Sequence, residues 1–547
     1  MIDYDVVVVG AGAGGGVAAC VLAEAGLSVL LIERGRNLSN EDVGRDHLRN
    51  QRISLYGNNA GPDDGNPRTR YNSRGELVAI KPWEGDYHNN ASCVGGGTRV
   101  YGAQAWRFMA QDFRMASTYG IPEGSSLADW PITYEDLEPF YTQAENELGV
   151  CGNGTANIYQ SNRTSDYPMP AMDPTLCSEK LRKGADQLGW NTFPVPLLIN
   201  SKTYQSRPGC VKCQHCVGFA CPSNSKNGTH NTVIPRALAT GLCTLQTDSM
   251  VVRIEVDSRG QTNGVTYLSN MHENMTAVRV KSRAVVVCAG AIETARLLLN
   301  SSSTHHPNGI GNDNDFVGRN LQGHYYPGSM GVTEEPVYDG IGPGPSIATC
   351  QFNHGNEGVI GGGMLANEFI RLPIIHWYRA MPPDVPRWGK ENKEWMKRYF
   401  TRTLHITGPV QEIPSPEGRV TVNTSVRDVY GLPVVHLSGT THKETVRTAK
   451  FMWERSQEWL KACGVEKLWG DPPNYLGLSG GQHQAGTCRM GNDPKTSVTD
   501  KWGRVHSQSN LYIMDGSVHV TNGGFNPVLT ILALSYRNSR ALVDKIK

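Results

Sequence analysis

The sequence has almost no net charge, since its 547 residues include 52 lysines and arginines against 51 aspartates and glutamates. This balance argues against an acidic solvating protein and against a basic nucleic-acid-binding protein. Cysteine is scarce, with 13 residues, which excludes a disulfide scaffold. The most apolar stretch, residues 6–32, is interrupted by Glu24 and follows an acidic N-terminus, so we expect no membrane insertion and no secretory signal. The expected location is cytoplasmic, with export alongside a partner subunit left open.

Glycine, in contrast, is abundant, and its 61 residues make up about 11% of the chain against about 7% in an average protein. Proline is near its usual level and no Gly-X-Y period occurs, so collagen and low-complexity disorder are both excluded. A chain of this length holds two or three domains and can bury a large core without disulfides. We expect the excess glycine at tight turns and where the backbone approaches a ligand.

The first informative stretch is a glycine-rich turn between two apolar segments near the N-terminus. Residues 5–9 are Asp-Val-Val-Val-Val and residues 28–32 are Ser-Val-Leu-Leu-Ile, which is typical of buried parallel strands. Seven small residues, 10–16, follow the first strand and open a helix, and Glu33 follows the second strand. The pattern of strand, glycine turn, helix, strand and acidic residue predicts a dinucleotide site.

Three glycines of this turn fit G-x-G-x-x-G, and each has its own purpose. Gly10 allows the tight turn, Gly12 lets a pyrophosphate approach the backbone, and Gly15 allows the helix to pack closely on the strand. The free N–H groups at the helix N-terminus attract phosphate. Glu33 is placed to accept hydrogen bonds from ribose hydroxyls, and its charge disfavours a 2′-phosphate. The motif alone leaves NAD and FAD open.

The remaining sequence alternates between sheet-forming and loop-forming segments. Residues 40–90 are polar and predict an irregular excursion or lid. Residues 131–149 predict a helix with Thr133 as its N-cap. Alternation over residues 244–290 predicts a β-meander that ends in a buried strand. Residues 310–470 predict a second domain built on a sheet.

Two further motifs lie near the C-terminus. Residues 483–491 are His-Gln-Ala-Gly-Thr-Cys-Arg-Met-Gly, and residues 515–517 are Asp-Gly-Ser. Residues 526–530 are Asn-Pro-Val-Leu-Thr and open a helix that is predicted to run to about Ile546. These motifs place a histidine and an asparagine beside turns, outside any strand or helix interior.

In chain order, these motifs resemble those of the glucose–methanol–choline (GMC) oxidoreductases, FAD enzymes that take a hydride from an alcohol. The resemblance rests on the N-terminal turn, the Gly95–Thr98 turn, the His-x-x-Gly-Thr segment at His483, the pair Asp515-Gly516 and the Asn-Pro-x-x-Thr helix start at Asn526. It covers nearly the whole chain and is loosest over residues 310–470.

Within this family, residues 95–149 resemble the flavoprotein subunits of bacterial gluconate and FAD-dependent glucose dehydrogenases, to which pyranose and glycoside oxidases are related. The shared segments are Ala105-Trp106-Arg107-Phe108, Asp129-Trp130-Pro131-Ile132 and Asp136-Leu137-Glu138-Pro139.

The resemblance implies an α/β (α+β) fold with two domains. A Rossmann-like FAD-binding domain is expected to be discontinuous, over residues 1–165, 206–310 and 471–547. A substrate-binding domain on a mainly antiparallel sheet is expected over residues 166–205 and 311–470.

The resemblance also implies the residues of the site. His483 is the expected base and Asn526 the expected partner of the substrate oxygen, in agreement with the general chemistry of a neutral imidazole and an amide. The residues expected to bind FAD are Gly10, Gly12, Ala13, Gly14, Gly15, Glu33, Arg34, Gly95, Gly96, Gly97, Thr98, Tyr101, Gly102, Ala103, Val251, Ala289, Gly290, Asp515, Gly516, Asn526, Pro527 and Val528.

The chain departs from some relatives at two positions. Val100 stands where they carry a histidine attached covalently to the flavin, so we expect non-covalent FAD. The helix start at Asn526 has no second histidine. His519 is close in sequence but precedes the turn, and it is interpreted mainly as a loop residue, with a substrate or flavin contact as the alternative.

A separate cluster of cysteines comprises Cys210, Cys213, Cys216 and Cys221. The spacing resembles that of bacterial ferredoxins, with one extra residue before the last cysteine. An iron–sulfur cluster, a zinc site and a loop of reduced thiols all remain open. No other metal site is expected.

The expected function is oxidation of a hydroxyl group of a sugar, a glycoside or an aminoglycoside. Residues 320–380 supply side chains suited to stacking on a sugar ring and hydrogen-bonding to it, namely His324, Tyr325, Tyr326, Gln351, Asn353, His354, His376, Trp377 and Tyr378. The alternatives are a long-chain or other non-sugar alcohol as substrate, and a non-catalytic flavin electron-transfer subunit. The electron acceptor is oxygen, a quinone or a protein.

Overall fold

The computed structural model describes residues 2–88, 90–367, 372–474, 477–478 and 481–547. Its strands are β1 Tyr4–Val9, β2 Val29–Ile32, β3 Arg68–Tyr71, β4 Leu77–Ile80, β5 Cys151–Gly152, β6 Met169–Pro170, β7 Cys243–Gln246, β8 Met250–Val256, β9 Thr262–Ser269, β10 Thr276–Val287, β11 Gly328–Val332, β12 Ala348–Thr349, β13 Leu365–Asn367, β14 Thr403–Thr407, β15 Arg419–Arg427, β16 Pro433–Ser438, β17 Lys467–Trp469 and β18 Leu511–Ile513.

The α-helices are α1 Ala13–Glu24, α2 Met115–Tyr119, α3 Tyr134–Leu148, α4 Leu176–Gln187, α5 Val233–Ala239, α6 Ala291–Asn300, α7 Pro373–Ile375, α8 Gly389–Tyr399, α9 Lys443–Ala462 and α10 Val528–Ile546. Among the described helices, none combines the length and apolar character that a membrane crossing requires.

The largest sheet has a parallel centre and an antiparallel extension. Strands β7, β2, β1 and β10 lie side by side and parallel, and β18 also pairs in parallel with β10. The first half of β10 instead pairs antiparallel with β9, which continues to β8. The last strand of the predicted meander and the predicted buried strand are therefore the two halves of one long strand, β10. Val285, Val286 and Val287 are completely buried, as the run of β-branched residues predicts.

Helices cover this sheet and bring the two ends of the chain together. Helix α1 packs against α5 and α10, so the C-terminal helix lies beside the first one. Helix α3 begins after Thr133, whose hydroxyl accepts a hydrogen bond of 3.2 Å from the N–H of Asp136. The predicted N-cap is confirmed.

A second, fully antiparallel sheet has the order β12-β13-β14-β11-β17. Helix α9 packs across it, and α4 packs on α9. Trp459 of α9 and Leu404 and Ile406 of β14 are completely buried between these layers. The expected antiparallel sheet over residues 310–470 is confirmed.

A third sheet joins distant parts of the chain, in the order β15-β16-β3-β4. Its hairpin β3–β4 comes from the polar segment 40–90, for which an irregular excursion was predicted, and that prediction is wrong here. Thr69 of β3 lies opposite His436 of β16, and its hydroxyl donates to the carbonyl of Val435 at 3.1 Å. Since each strand of the hairpin has only four residues, pairing with a remote strand helps to stabilise it.

Candidate active site

One large cavity of about 930 Å³ lies between the carboxyl ends of the parallel strands and the antiparallel sheet. This is the usual place for a ligand in an open α/β fold, because loops that follow parallel strands diverge there. The predicted site residues that line it are Gly10, Gly12, Ala13, Gly14, Glu33, Arg34, Gly96, Gly97, Thr98, Tyr101, Gly102, Ala103, Val251, Ala289, Gly290, His483, Asp515, Gly516, Asn526, Pro527 and Val528.

Gly15 and Gly95 do not line the cavity, and packing within the protein explains both. A Cβ atom on Gly15 would lie 1.8 Å from the carbonyl oxygen of Gly10, so this glycine brings helix α1 onto the turn after β1. A Cβ atom on Gly95 would lie 3.0 Å from the side chain of His230, and its φ of +93° favours glycine. Gly10 has a φ of +97°, which the tight turn requires.

Packing does not explain Gly12 or Gly97. Both line the cavity, and a Cβ atom built on either one would meet no other heavy atom of the protein within 4 Å. Helix α1 has Gly12 as its N-cap, without a side-chain hydrogen bond there and without an acidic residue in its first turn. Open space beside uncapped N–H groups fits a phosphate, and the residues present therefore suit a dinucleotide such as FAD.

Two buried carboxylates hold the backbone around this space. Glu33 accepts hydrogen bonds from the N–H groups of Ala11 at 2.8 Å and Gly35 at 2.9 Å. Asp515 accepts from the N–H of Gly290 at 3.0 Å and from the hydroxyl of Thr294 at 2.6 Å. Burial raises the pKa of each carboxyl, and these hydrogen bonds oppose the rise. Each side chain therefore ties together two turns of the cavity wall.

Sequence reasoning missed a buried ionic cluster on the same wall. Glu293 of α6 lies 2.8 Å from Arg68, 3.5 Å from Arg296 and 3.6 Å from Arg34. Although burial acts to raise it, the three guanidinium groups hold the pKa of Glu293 far below its usual range. Glu293 and Arg296 are neighbours on α6, but Arg34 and Arg68 come from distant parts of the chain, so no local spacing indicates the whole cluster.

The predicted catalytic pair comes together at the far end of the cavity. The Nε2 atom of His483 lies 3.3 Å from the amide nitrogen of Asn526, which stands two residues before α10. The Oδ1 atom of Asn526 has no hydrogen-bond partner among the described residues. Burial, followed by the neighbouring His324, holds the pKa of His483 well below its usual value. The imidazole is therefore neutral near pH 7 and can accept a proton.

Two further side chains touch His483 on its other nitrogen. The Nδ1 atom of His483 lies 3.0 Å from Nδ1 of His324 and 2.7 Å from the hydroxyl of Tyr326. Sequence reasoning placed both residues among the sugar-binding side chains, and no spacing linked them to His483.

Three of the nine side chains that were expected to bind a sugar line the cavity. Tyr326, His376 and Tyr378 line it. The others of that set do not, namely His324, Tyr325, Gln351, Asn353, His354 and Trp377. His354 instead lies 3.1 Å from the buried carboxylate of Asp112, which explains its position away from the cavity.

His519 is also outside the cavity lining. It is completely buried, and its ring lies 5.3 Å from that of Trp130 and 5.8 Å from that of Phe108. The interpretation as a structural residue of the loop agrees with this position.

The four clustered cysteines lie on a loop that packs against the cavity wall. Lys226 is buried beneath this loop, and its ammonium group donates to the carbonyls of Cys216 at 2.5 Å, Phe219 at 2.9 Å and Tyr101 at 3.1 Å. Burial lowers the pKa of Lys226 to about 8. Within the described part of the chain, no three His, Cys, Asp or Glu side chains are placed to hold a metal ion.

Comparison with known proteins identifies the family of the chain. Two models of the GMC oxidoreductases match the chain, the N-terminal one over residues 13–326 and the C-terminal one over residues 414–535. The chain is 31% identical to 6'''-hydroxyparomomycin C oxidase of Streptomyces lividus, covering 99% of this chain and 92% of that protein.

Two other similarities extend over the full length. The large subunit of fructose dehydrogenase of Gluconobacter japonicus is 28% identical, with 100% of this chain and 99% of that protein covered. The crystal structure of pyridoxine 4-oxidase from Mesorbium loti has the same fold, with a TM-score of 0.65, 16% identity and coverage of 98% and 99%. The chain therefore belongs to the GMC oxidoreductases, FAD-dependent enzymes that act on CH–OH groups.

Proposed function

We propose that the protein oxidises a hydroxyl group of a sugar or glycoside to a carbonyl, with His483 as the base. The main observation is the pairing of His483 Nε2 with the amide of Asn526, 3.3 Å apart at the cavity wall. A neutral imidazole beside an amide is suited to bind a hydroxyl and to remove its proton.

The roles of the two side chains follow from their atoms. His483 accepts the hydroxyl proton at Nε2, the nitrogen that lies beside Asn526, and its low pKa keeps the ring neutral at neutral pH. The amide N–H of Asn526 donates to the substrate oxygen as negative charge develops on it. FAD, when bound, supplies the acceptor for the hydride that leaves the carbon.

The proposed binding of FAD is non-covalent. Val100 lines the cavity at the position where some relatives carry an attached histidine, and its side chain offers no nucleophile. The nearby Tyr101 hydroxyl is used, since it donates to the carbonyl of Asn227. Gly12 and Gly97 leave room for the dinucleotide, as described above.

The proposed substrate class is supported by the opposite wall of the cavity. Polar side chains there come from Tyr326, His405 and Thr407 on the antiparallel sheet and its connections, whereas the amide of Asn367 is bonded within the protein. Directional hydrogen bonds select one hydroxyl among similar ones far better than an apolar pocket does. Relatives named after paromomycin-type compounds and fructose favour the same class.

A long-chain or other non-sugar alcohol is the second candidate, because Met330, Met364 and Ile375 also line the cavity. These side chains provide an apolar strip that an alkyl chain would contact. The two candidates differ in the substrate and share the same chemistry.

For the electron acceptor, we propose oxygen or a soluble quinone in preference to an iron–sulfur relay. The ammonium group of Lys226 already binds the carbonyls beneath the cysteine loop, so the loop is stabilised without a metal ion. A protein acceptor is the alternative, and it would require a cluster or a docking partner.

We also propose that residues 1–165, 206–310 and 471–547 bind the cofactor, while residues 166–205 and 311–470 bind the substrate. The cavity lies between the two groups of segments, as Gly12 and His405 on its walls illustrate.

The experiment is an anaerobic panel of sugars, glycosides and n-alkanols, with flavin reduction followed by absorbance. A pyranose or glycoside is expected to give the highest second-order rate constant for flavin reduction. Removal of the hydroxyl group is expected to lower this rate constant steeply at two or more positions of the sugar ring. A higher kcat/KM on a long n-alkanol than on every sugar would replace the sugar proposal by the second candidate.

The role of His483 is tested in the same assay with His483→Ala. We expect flavin reduction at least about 10²-fold slower with FAD still bound, which is the lower end of general-base contributions. His305→Ala is the matched control, since His305 is exposed and outside the cavity. A His483→Ala rate within threefold of the control would reject His483 as the base.

A further inference from the structure

We propose that His324 is a positioning residue that fixes the hydrogen of His483 on Nδ1, so that Nε2 faces the substrate as the base. This inference rests on the proposed function, in which His483 removes the proton. It assigns to His324 a role in the reaction although its side chain does not line the cavity.

The first step of the argument concerns the far nitrogen of His324. Its Nε2 atom lies 2.8 Å from the carbonyl oxygen of Gly523 and 3.0 Å from that of Asn522. Carbonyl oxygens only accept hydrogen bonds, so this nitrogen must carry a hydrogen. Burial lowers the pKa of His324 to about 4, and the ring is therefore neutral near pH 7. Its Nδ1 atom is then an acceptor.

The second step concerns the contact between the two rings. Nδ1 of His324 lies 3.0 Å from Nδ1 of His483. Two lone pairs at that distance would repel each other, so Nδ1 of His483 must carry the hydrogen and donate it. The hydroxyl oxygen of Tyr326, 2.7 Å away, can accept from the same N–H. Nε2 of His483 is left with its lone pair beside Asn526 and the cavity.

The third step is that the position of His324 is strongly constrained. Its backbone has a φ of +68°, and one carboxylate oxygen of Glu412 accepts from the N–H groups of Gly323 at 2.8 Å and His324 at 2.9 Å. The side chain of His324 is almost fully buried. Since both the backbone and Nε2 are bound, the ring cannot turn over to offer a donor to His483.

Among the residues that the structure describes, the charged and titratable groups around the pair include Tyr326, Glu412, Asp112 and His519. His324 acts to lower the pKa of His519. His324 and Tyr326 face His483 from the segment before β11, and the carboxylate of Glu412 binds the backbone of His324. The charge of Asp112 acts to raise the pKa of His324, and His324 in turn acts to lower that of His483. Loss of His324 should therefore raise the pKa of His483.

Two substitutions of His324 test the contributions of its two ring nitrogens one at a time. In His324→Asn, the side-chain oxygen can take the place of Nδ1 and still accept from His483. In His324→Gln, the side-chain amide can reach the carbonyls that Nε2 binds, while the acceptor beside His483 is lost. Because His324 has a positive φ, which asparagine tolerates better than most residues, the two variants can differ in stability. Thermal unfolding and FAD content are therefore measured for both.

The readout is the limiting rate of anaerobic flavin reduction by the sugar that reduces the wild-type protein fastest, measured against pH. We expect His324→Gln to lower this rate at least about 10²-fold, because the wrong tautomer removes the base. The substrate concentration for half-maximal rate should change less than threefold. His324→Asn should stay within tenfold of wild type, and its acid limb should move to higher pH.

The outcomes distinguish this inference from the proposed function. If His483→Ala is slow while folded His324→Gln reacts like wild type, the positioning role of His324 is rejected and His483 remains the base. If His483→Ala reacts like wild type, the proposed base itself fails. If His324→Gln does not fold, His324→Asn still decides, since a folded His324→Asn protein that reacts more than tenfold more slowly than wild type contradicts the inference.

Discussion

Replacement of Gly12 by alanine tests whether this glycine leaves space for a ligand, as opposed to allowing close packing within the protein. A Cβ atom at Gly12 meets no protein atom within 4 Å and projects into open space at the cavity. A Cβ atom at Gly14, two residues later, would lie 1.8 Å from the carbonyl oxygen of Met514. Gly12→Ala should therefore fold and bind FAD weakly, whereas Gly14→Ala should fail to fold.

The expected magnitudes come from the local geometry. The φ of Gly12 is −80°, which alanine adopts without strain. Alanine is a poorer N-cap by about 1 kcal/mol, and the loss of chain entropy in the unfolded state offsets about 0.4–1 kcal/mol of this. The apoprotein should thus unfold within about 3 °C of wild type. One extra methyl group in a packed site costs about 1–3 kcal/mol, or roughly a 5- to 150-fold weaker Kd for FAD.

The assay is titration of the apoprotein with FAD, followed by flavin fluorescence, together with thermal unfolding of the apoprotein. Gly14→Ala serves as the contrast, because its side chain clashes with backbone and not with a ligand. A folded Gly12→Ala protein with the wild-type Kd for FAD would refute the assignment of the open space beside Gly12 to the dinucleotide.

Four further outcomes are expected. Acid precipitation should release all of the flavin into the supernatant, because Val100 cannot attach it, and flavin retained in the pellet would contradict this. Asn526→Ala should slow flavin reduction by a factor similar to or smaller than that of His483→Ala, since one donor to the developing oxyanion is lost, and a rate within threefold of wild type would contradict it. Anaerobically purified protein should contain no stoichiometric iron or acid-labile sulfide, and finding both would assign a cluster to the cysteine loop. The free energy of unfolding should fall as the pH drops below about 4.5, the usual pKa of a glutamate side chain. The folded state lowers the pKa of Glu293, so this side chain contributes to stability only while it is ionised. A free energy of unfolding that stays constant from pH 6 to 3 would contradict this.

The fold was largely predictable where local patterns specify it. The run of valines in β1, the cap at Thr133 and the glycine spacing from Gly10 each encode a backbone conformation within a few residues. The hairpin β3–β4 was missed, because its strands have only four residues each, stand within a polar segment and pair with the remote strand β16. Such pairing has no signature in the hairpin's own sequence.

The sequence by itself determined the family and the proposed chemistry, since His483 and Asn526 stand in motifs that resemble those of the GMC oxidoreductases, and the glycine turn predicts a dinucleotide. Only the tertiary structure decided which side chains these groups contact. His324 and His483 are 159 residues apart in the chain, and their contact depends on a left-handed backbone and a remote carboxylate. Local spacing can encode a turn or a cap, whereas the tautomer of a buried imidazole depends on which acceptor the fold brings to within 3 Å.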